Sequence, residues 1–177
     1  LSGILKEKLN WYLNYSFVEA TFEDAFIGVS ANHPNAADLN GDGTANEIQV
    51  NAGDRIPGIP EHSFKIGGNY NFNEKVSVGA NMIYNSTQVL RGDESNQLGP
   101  VDGYAIVNLN SVYKINKSIS VFARINNLFD TDYETFGLLG EANEVFDGGG
   151  ATQRFSNNVF LGAGTPISGF VGIKITF

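Results

Sequence analysis

Ser63-Phe-Lys-Ile-Gly-Gly-Asn-Tyr-Asn-Phe-Asn-Glu-Lys-Val-Ser-Val-Gly-Ala-Asn-Met-Ile-Tyr-Asn85 holds two runs of period two separated by Asn73, Glu74 and Lys75. In the first, Phe64, Ile66, Gly68, Tyr70 and Phe72 alternate with Ser63, Lys65, Gly67, Asn69 and Asn71; in the second, Val76, Val78, Ala80, Met82 and Tyr84 alternate with Ser77, Gly79, Asn81, Ile83 and Asn85. Successive side chains of a strand point to opposite faces, so each run predicts a strand with one apolar and one mostly polar face. The short polar connector predicts a tight turn between antiparallel neighbours. Each run spans about ten residues, the length a tilted strand needs to cross a bilayer.

The same pattern recurs on both sides. Leu9, Trp11, Leu13, Tyr15 and Phe17 alternate with Asn10, Tyr12, Asn14 and Ser16. Downstream, Ala105, Val107, Leu109, Ser111 and Tyr113 face away from Tyr104, Ile106, Asn108, Asn110 and Val112. Ile119, Val121, Ala123 and Ile125 oppose Ser120, Phe122, Arg124 and Asn126, and Gly169, Val171, Ile173, Ile175 and Phe177 oppose Phe170, Gly172, Lys174 and Thr176. The connectors between these six strands run long, short, long, short, long, with Asn73–Lys75 and Lys114–Ser118 the short ones. A chain zigzagging through an outer membrane alternates in this way, with short periplasmic turns and longer external loops. Tyr70, Phe72 and Tyr113 sit where strands meet the short turns, as an interfacial aromatic girdle does.

Composition agrees. The 177 residues are 42% hydrophobic and 17% charged, with 21 Gly, 13 Phe and 7 Tyr, which favours strands and turns over helix, disorder or collagen. A formal charge of −8 and pI near 4.6 argue against a surface that tracks nucleic-acid phosphates. There is no cysteine, hence no disulfide framework and no thiolate chemistry. No apolar run reaches the length of a transmembrane helix, and no charged start with an apolar stretch marks a signal peptide. A soluble β-sandwich also has alternating strands with core aromatics, and a secreted, calcium-stabilised sandwich acting as a binding module is the competing reading. Two features weigh against it: the polar faces are rich in Asn, Ser and Gly rather than Lys and Glu, and the apolar faces carry no charge, which would be costly in lipid.

Three segments then carry a resemblance. Asn126-Asn-Leu-Phe-Asp-Thr-Asp-Tyr133 resembles the "NLFD..Y" signature near the C-terminus of TonB-dependent outer-membrane receptors. Gly53-Asp-Arg-Ile-Pro-Gly-Ile-Pro-Glu-His-Ser-Phe64 is similar to the family's lead-in to an earlier barrel strand, and Gly169-Phe-Val-Gly-Ile-Lys-Ile-Thr-Phe177 to its aromatic-ended last strand. The three stand in family order and extend the likeness over residues 1–177. The resemblance implies an all-β, antiparallel transmembrane β-barrel, of which this chain is the C-terminal six-strand portion. It implies a place in the outer membrane of a Gram-negative bacterium and a role in active uptake of a scarce nutrient such as a ferric siderophore. The implied partners are outer-membrane lipid, the TonB complex acting through a plug that precedes this portion, the barrel-assembly machinery, and a nutrient ligand the sequence does not name. Family barrels close with 22 strands around that plug, and six strands by themselves would leave two edges unpaired, which lipid does not tolerate.

Roles for the signature follow as expectations. Asn126 and Asn127 end a strand where a side-chain amide can replace missing ladder partners, and Asp130 is suited to a local Asx turn. Leu128 and Phe129 are expected to anchor the strand end in apolar surroundings, and Tyr133 completes the motif. Val171, Ile173, Ile175 and Phe177 are expected to form a lipid-facing strand that doubles as an assembly signal. Lumen-facing Asn10, Asn14, Lys65, Asn69, Asn81, Arg124 and Lys174 are candidates for holding the plug. The loops 19–60 and 129–166 are candidates for ligand contact, with Phe136, Phe146 and Phe155 as their aromatics.

Asp38-Leu-Asn-Gly-Asp-Gly-Thr-Ala-Asn-Glu47 matches the first half of a calcium loop, with Asp38, Asn40, Asp42 and Thr44 supplying hard oxygens and Gly43 at the sharp turn. Position 12, where a bidentate Glu belongs, is Gln49, and Asp/Asn/Gly-rich external loops resemble this by composition. No cofactor is required by anything else in the chain. Residues 9–54 hold seven acids and no Lys or Arg, and 129–166 hold six acids against Arg154, so the loops form an acidic rim. Catalysis is not expected. His62 and Ser63 are neighbours in a strand and point to opposite faces, His33 lacks a nucleophile signature, and Asp147-Gly-Gly-Gly150 lacks the Lys-Ser/Thr of a phosphate cradle.

Overall fold

The computed structural model describes residues 1–141 and 157–177. The strands in chain order are β1 (Ser2–Leu5), β2 (Leu9–Phe17), β3 (Phe26–Val29), β4 (Glu47–Val50), β5 (His62–Asn71), β6 (Val76–Asn85), β7 (Tyr104–Lys114), β8 (Ile119–Asn126), β9 (Glu134–Leu139), β10 (Val159–Ala163) and β11 (Ser168–Ile175). Seven of them form one antiparallel sheet in the order β1-β2-β5-β6-β7-β8-β11, and β3–β4 and β9–β10 are separate hairpins.

All six expected strands are present, with ends shifted by at most two residues. The seventh, β1, is an addition. It turns into β2 through Lys6 and Glu7 at φ 49° and 56°, with Lys8 N–H donating to Leu5 O at 3.1 Å. Two consecutive positive φ values make this a hairpin turn of the I′ kind, normally built on Asn or Gly. The other two short turns share a different device. Asn73 Oδ1 accepts from Lys75 N–H and Val76 N–H, and Asn116 Oδ1 accepts from Ser118 N–H and Ile119 N–H, so each asparagine closes its turn from within.

The register carries the argument from sequence to surface. Trp11 pairs with Gly68, Gly68 with Ala80, Ala80 with Leu109, and Leu109 with Ile125. Ala123 pairs with Val171, and Val121 with Ile173. Each apolar set therefore lies on one common face, uncharged across the whole sheet. A shift of one residue anywhere would have sent a set to the other side. That face stays open: Val171 is 73% exposed and Ile173 67%. A sandwich would cover it with a second sheet, so the sandwich reading is set aside.

The opposite face is mostly polar, with Ile83, Ile106, Val112, Phe122 and Phe170 among its amides, and close-fitting. Asn108 Nδ2 donates to Asn81 Oδ1 at 2.9 Å, and Ser63 Oγ to Asn85 Oδ1 at 2.7 Å. A Cβ on Gly79 would lie 2.7 Å from the Asn110 amide and 2.8 Å from that of Asn69, so this glycine is what lets the two amides close over the strand. Burial is found elsewhere. The buried apolar residues Ile48, Val50, Leu90 and Val101 belong to the long connectors, not to the sheet.

Candidate functional site

At the long-loop end the connectors lock into one another. Gly53 and Gly58, at φ 93° and 76°, give the segment before β5 a path that side chains rarely follow. It runs beside the β6–β7 connector: Gly58 N–H donates to Val89 O, Arg55 N–H to Asn96 Oδ1, and Asn96 Nδ2 to Arg55 O. The β6–β7 connector is held from within by Asp93, which is 1% exposed. Its carboxylate accepts from Gln97 N–H and Leu98 N–H at 2.9 Å each, from Ser95 Oγ–H at 3.2 Å, and from His33 Nε2 at 3.0 Å. Because Asn35 N–H points at His33 Nδ1, Nδ1 is the acceptor and Nε2 bears the hydrogen given to Asp93. Four donors on one buried carboxylate offset its desolvation. The β2–β5 connector is tied in again by Ser30 Oγ, which donates to Gly92 O at 2.6 Å.

The β9–β10 hairpin docks on the same connector. Arg91 and Leu138 form a parallel bridge, and Gln88 Nε2 donates to Thr135 O at 2.9 Å. Gly137 brings β9 against Leu90 and Val101, where a Cβ would lie 2.6 Å from Val101. Between connector and hairpin is a cleft of about 540 Å³ lined mainly by Leu90, Leu98, Val101, Leu139, Val159 and Leu161, with Asp102, Glu134, Asn157 and Asn158 as its polar members. It is apolar with a few carboxylates, which suits a ligand presenting an apolar or aromatic face. Phe136 is 47% exposed on β9; Phe146, Phe155, Arg154 and Asp147–Gly150 lie outside the described residues.

The signature residues form a clip below this layer. Asn127, 1% exposed and at φ 48°, has its N–H on Asn108 Oδ1, its Nδ2 on Thr131 O and Thr165 O, and its Oδ1 under Thr131 N–H. One side chain thus ties the end of β8 to the segments flanking the β9–β10 hairpin, while Leu128 N–H donates to Val107 O. Asn126 Nδ2 reaches Ser168 Oγ at 3.2 Å. Tyr133 lies on Tyr104 at 4.6 Å between ring centroids, and Gly164 packs against its ring. One expectation changes: in place of a local Asx turn, Asp130 Oδ1 accepts from Ile167 N–H at 2.8 Å, a link across the hairpin to the start of the last strand. Phe129 is 71% exposed.

The calcium-like loop is closed by its own amides. Asp38 accepts from Gly41, Asp42 and Gly43 N–H, Asn40 Oδ1 from Asp42 N–H, and Asp42 Oδ1 from Thr44 N–H. The donated hydrogen bonds, first that of the Asn40 amide and then that of Thr44 N–H, hold the Asp42 carboxyl below its ordinary value of 3.8. Glu47 is buried and caps Leu39 and Asn40 N–H instead of pointing into the loop. Among the described residues no three His, Asp or Glu side chains are grouped to share a metal. His62 and Ser63 diverge as strand geometry requires. His62 stacks between Tyr15 and Phe17 on the apolar face, with its Nδ1 2.9 Å from Tyr15 Oη, and Ser63 bonds Asn85 on the other.

Sequence reasoning missed Asp93 and Asn108. Nothing local marks Asp93, whose histidine lies 60 residues away. Asn108 was visible as a polar position in β7, but its role as the acceptor for Asn127 N–H depends on the β7–β8 register.

An uncharged face on an antiparallel sheet with interlocked loops at one end is the architecture to be matched, and residues 3–128 match the family described as "TonB dependent receptor-like, beta-barrel". The chain belongs to that family. Its members are outer-membrane proteins of Gram-negative bacteria. Over 89 residues the chain is 28% identical to the catecholate siderophore receptor Fiu of Escherichia coli K12, an alignment that covers 49% of this chain and 12% of Fiu. Its fold superposes on the siderophore receptor PiuA of Acinetobacter baumannii with a TM-score of 0.71 at 15% identity, covering 98% of this chain and 20% of PiuA. The copper transporter OprC gives a TM-score of 0.59 at 17% identity, covering 99% of this chain and 22% of OprC. The chain thus spans about a fifth or less of the relatives it matches.

Proposed function

We propose that this chain is the C-terminal part of the barrel of a TonB-dependent active transporter that admits a ferric siderophore or similar scarce nutrient. The observation that carries this reading is the register, which gathers six uncharged apolar sets on one face of a family-matched sheet. In this reading the sheet is one arc of the wall, and the open edges of β1 and β11 pair with strands outside this chain. The Asn-rich face looks into the lumen, where Asn10, Asn69, Asn81 and Arg124 offer hydrogen bonds to a plug moved by TonB. Val171, Ile173, Ile175 and Phe177 serve both as lipid-facing wall and as the signal read by the barrel-assembly machinery. No step of catalysis is assigned to any residue.

The apolar cleft of the outer layer is the part of this chain placed to touch a ligand. Siderophore receptors among the relatives favour iron complexes, and OprC shows by its name that the same fold also serves a metal ion. Uptake of ⁵⁵Fe from a panel of ferric siderophores, with and without the gene and with and without a proton uncoupler, tests the assignment. Energy-dependent uptake of at least one complex should vanish with the gene; uptake unchanged across a broad panel would refute it. For the Asp38–Gln49 loop we propose a turn that its own hydrogen bonds close. Calorimetry with Ca²⁺ on the native protein checks this, and binding heat accompanied by added amide protection at Gly41–Thr44 would install the ion instead.

A further inference from the structure

The charge of this chain is divided along the strands. The long connecting segments, residues 18–61, 86–103 and 127–167, hold seventeen of the 19 Asp and Glu but three of the 11 Lys and Arg. The formal charge of −8 therefore understates the excess of carboxylate at that end. Among the described residues the arginines of these segments are already engaged. Arg55 Nη2 lies 3.5 Å from Glu61 Oε2, and the Arg91 side chain lies against Gly58, where a Cβ would stand 3.2 Å from its Nε.

The cleft between the β6–β7 connector and the β9–β10 hairpin opens into this field. Among the described residues no Lys or Arg lines it. Asp93 of the same connector has four donors on its carboxylate, whereas Asp102 and Glu134 in the cleft have no side-chain hydrogen bond or ion pair to another described residue. Their acceptors face a largely apolar wall, and a low-dielectric wall strengthens the pull of a carboxylate on a nearby cation. We propose that this cleft takes a cationic metal chelate, its apolar skeleton against Leu90, Leu98, Val101 and Leu139 and its positive group toward Asp102 and Glu134. The proposal deepens the transporter reading and rests on it. A trianionic ferric tris-catecholate would bring like charge into a field of carboxylates, with no Lys or Arg among the described lining residues to receive it; a cation is drawn in and meets acceptors that lack partners. The ligand class differs in charge from that named for Fiu, a catecholate siderophore receptor.

A charge series on one skeleton tests this. Ferrioxamine B is a ferric trihydroxamate with a free ammonium; its N-acetyl derivative is neutral and its N-succinyl derivative anionic, and ferric enterobactin serves as the tris-catecholate. Uptake of ⁵⁵Fe from each is measured in cells that carry the full receptor gene and have their other siderophore receptors deleted. Within the trihydroxamates uptake should fall from cation to neutral to anion, by about five- to tenfold overall, roughly what one or two solvent-exposed charge pairs supply. Added salt should narrow the series. D102N/E134Q should flatten it while retaining uptake of the neutral member, and E7Q, in a short turn, should leave the order unchanged. Equal uptake of the three trihydroxamates, preference for the anionic one, or uptake of the tris-catecholate alone would overturn the charge assignment and leave the transporter reading standing. Uptake of none of the four overturns it as well, and the broad ferric panel then decides whether the transporter reading falls with it.

Discussion

Asn127 occupies a left-handed conformation at the end of β8 with no room to relax, and its amide makes three hydrogen bonds to backbone groups that have no strand partner. Asparagine tolerates that φ better than other side chains with a Cβ, so conformation and bonding select the same residue. Replacement by alanine leaves buried groups unsatisfied at about 1–3 kcal/mol each. N127A should lower the stability of the lipid-refolded native protein by about 2–3 kcal/mol in urea titration, whereas a change within about 0.5 kcal/mol would be that of an ordinary surface site. Asp42 makes a second prediction. Its carboxyl is held below 3.8 by bonds present only in the folded turn, so the stabilisation is complete above that value and disappears as pH falls through the lowered one. Exchange of Thr44 N–H should therefore stay slow through pH 4 and accelerate only in more acid solution; acceleration already between pH 6 and 4 would assign the turn to another group. At this scale the sequence was legible where a motif is local. Asn127 could be named from its neighbours, but the partner of Asp130 lies 37 residues away and that of Asp93 lies 60 residues away, beyond any local pattern.

Strands were legible in proportion to their length. β2, β6 and β8 begin and end where alternation does, because eight to ten residues of period two have no helical counterpart. β1 was not, since four residues of Ser-Gly-Ile-Leu carry too little pattern and its turn is made by Lys6 and Glu7, residues that do not advertise positive φ. The β3–β4 and β9–β10 hairpins were hidden for the same reason and because they sit inside polar connectors. These hairpins supply the packing of the outer layer, and Gly137 is its closest point. G137A adds a Cβ where Leu90 and Val101 already stand, an overpacking that costs about 1–3 kcal/mol. The cost falls on the outer layer: limited proteolysis of the native protein should cut residues 86–103 faster in G137A while the wall strands stay protected. Unchanged cleavage would mean that β9 does not hold that connector.

Over the whole chain, chemistry is sorted along two directions. Across the sheet, uncharged side chains face one way, and amides, scattered cations and a few apolar side chains the other. Along the strands, lysines collect at the short turns and carboxylates in the long connectors, so the chain is polarised along the sheet as well as across it. An arginine at mid-strand on the uncharged face should cost about 2–4 kcal/mol in lipid, and V171R should fold into vesicles with a correspondingly raised urea sensitivity while K174Q does not. Absence of cysteine allows the most direct test of the central assignment. Single cysteines at each position from 169 to 175 in the native protein, spin-labelled in liposomes, report lipid contact through oxygen and water contact through a soluble nickel chelate. Oxygen accessibility should peak at 169, 171, 173 and 175 and nickel accessibility at 170, 172 and 174; loss of that alternation, or its inversion, would contradict the lipid-facing wall.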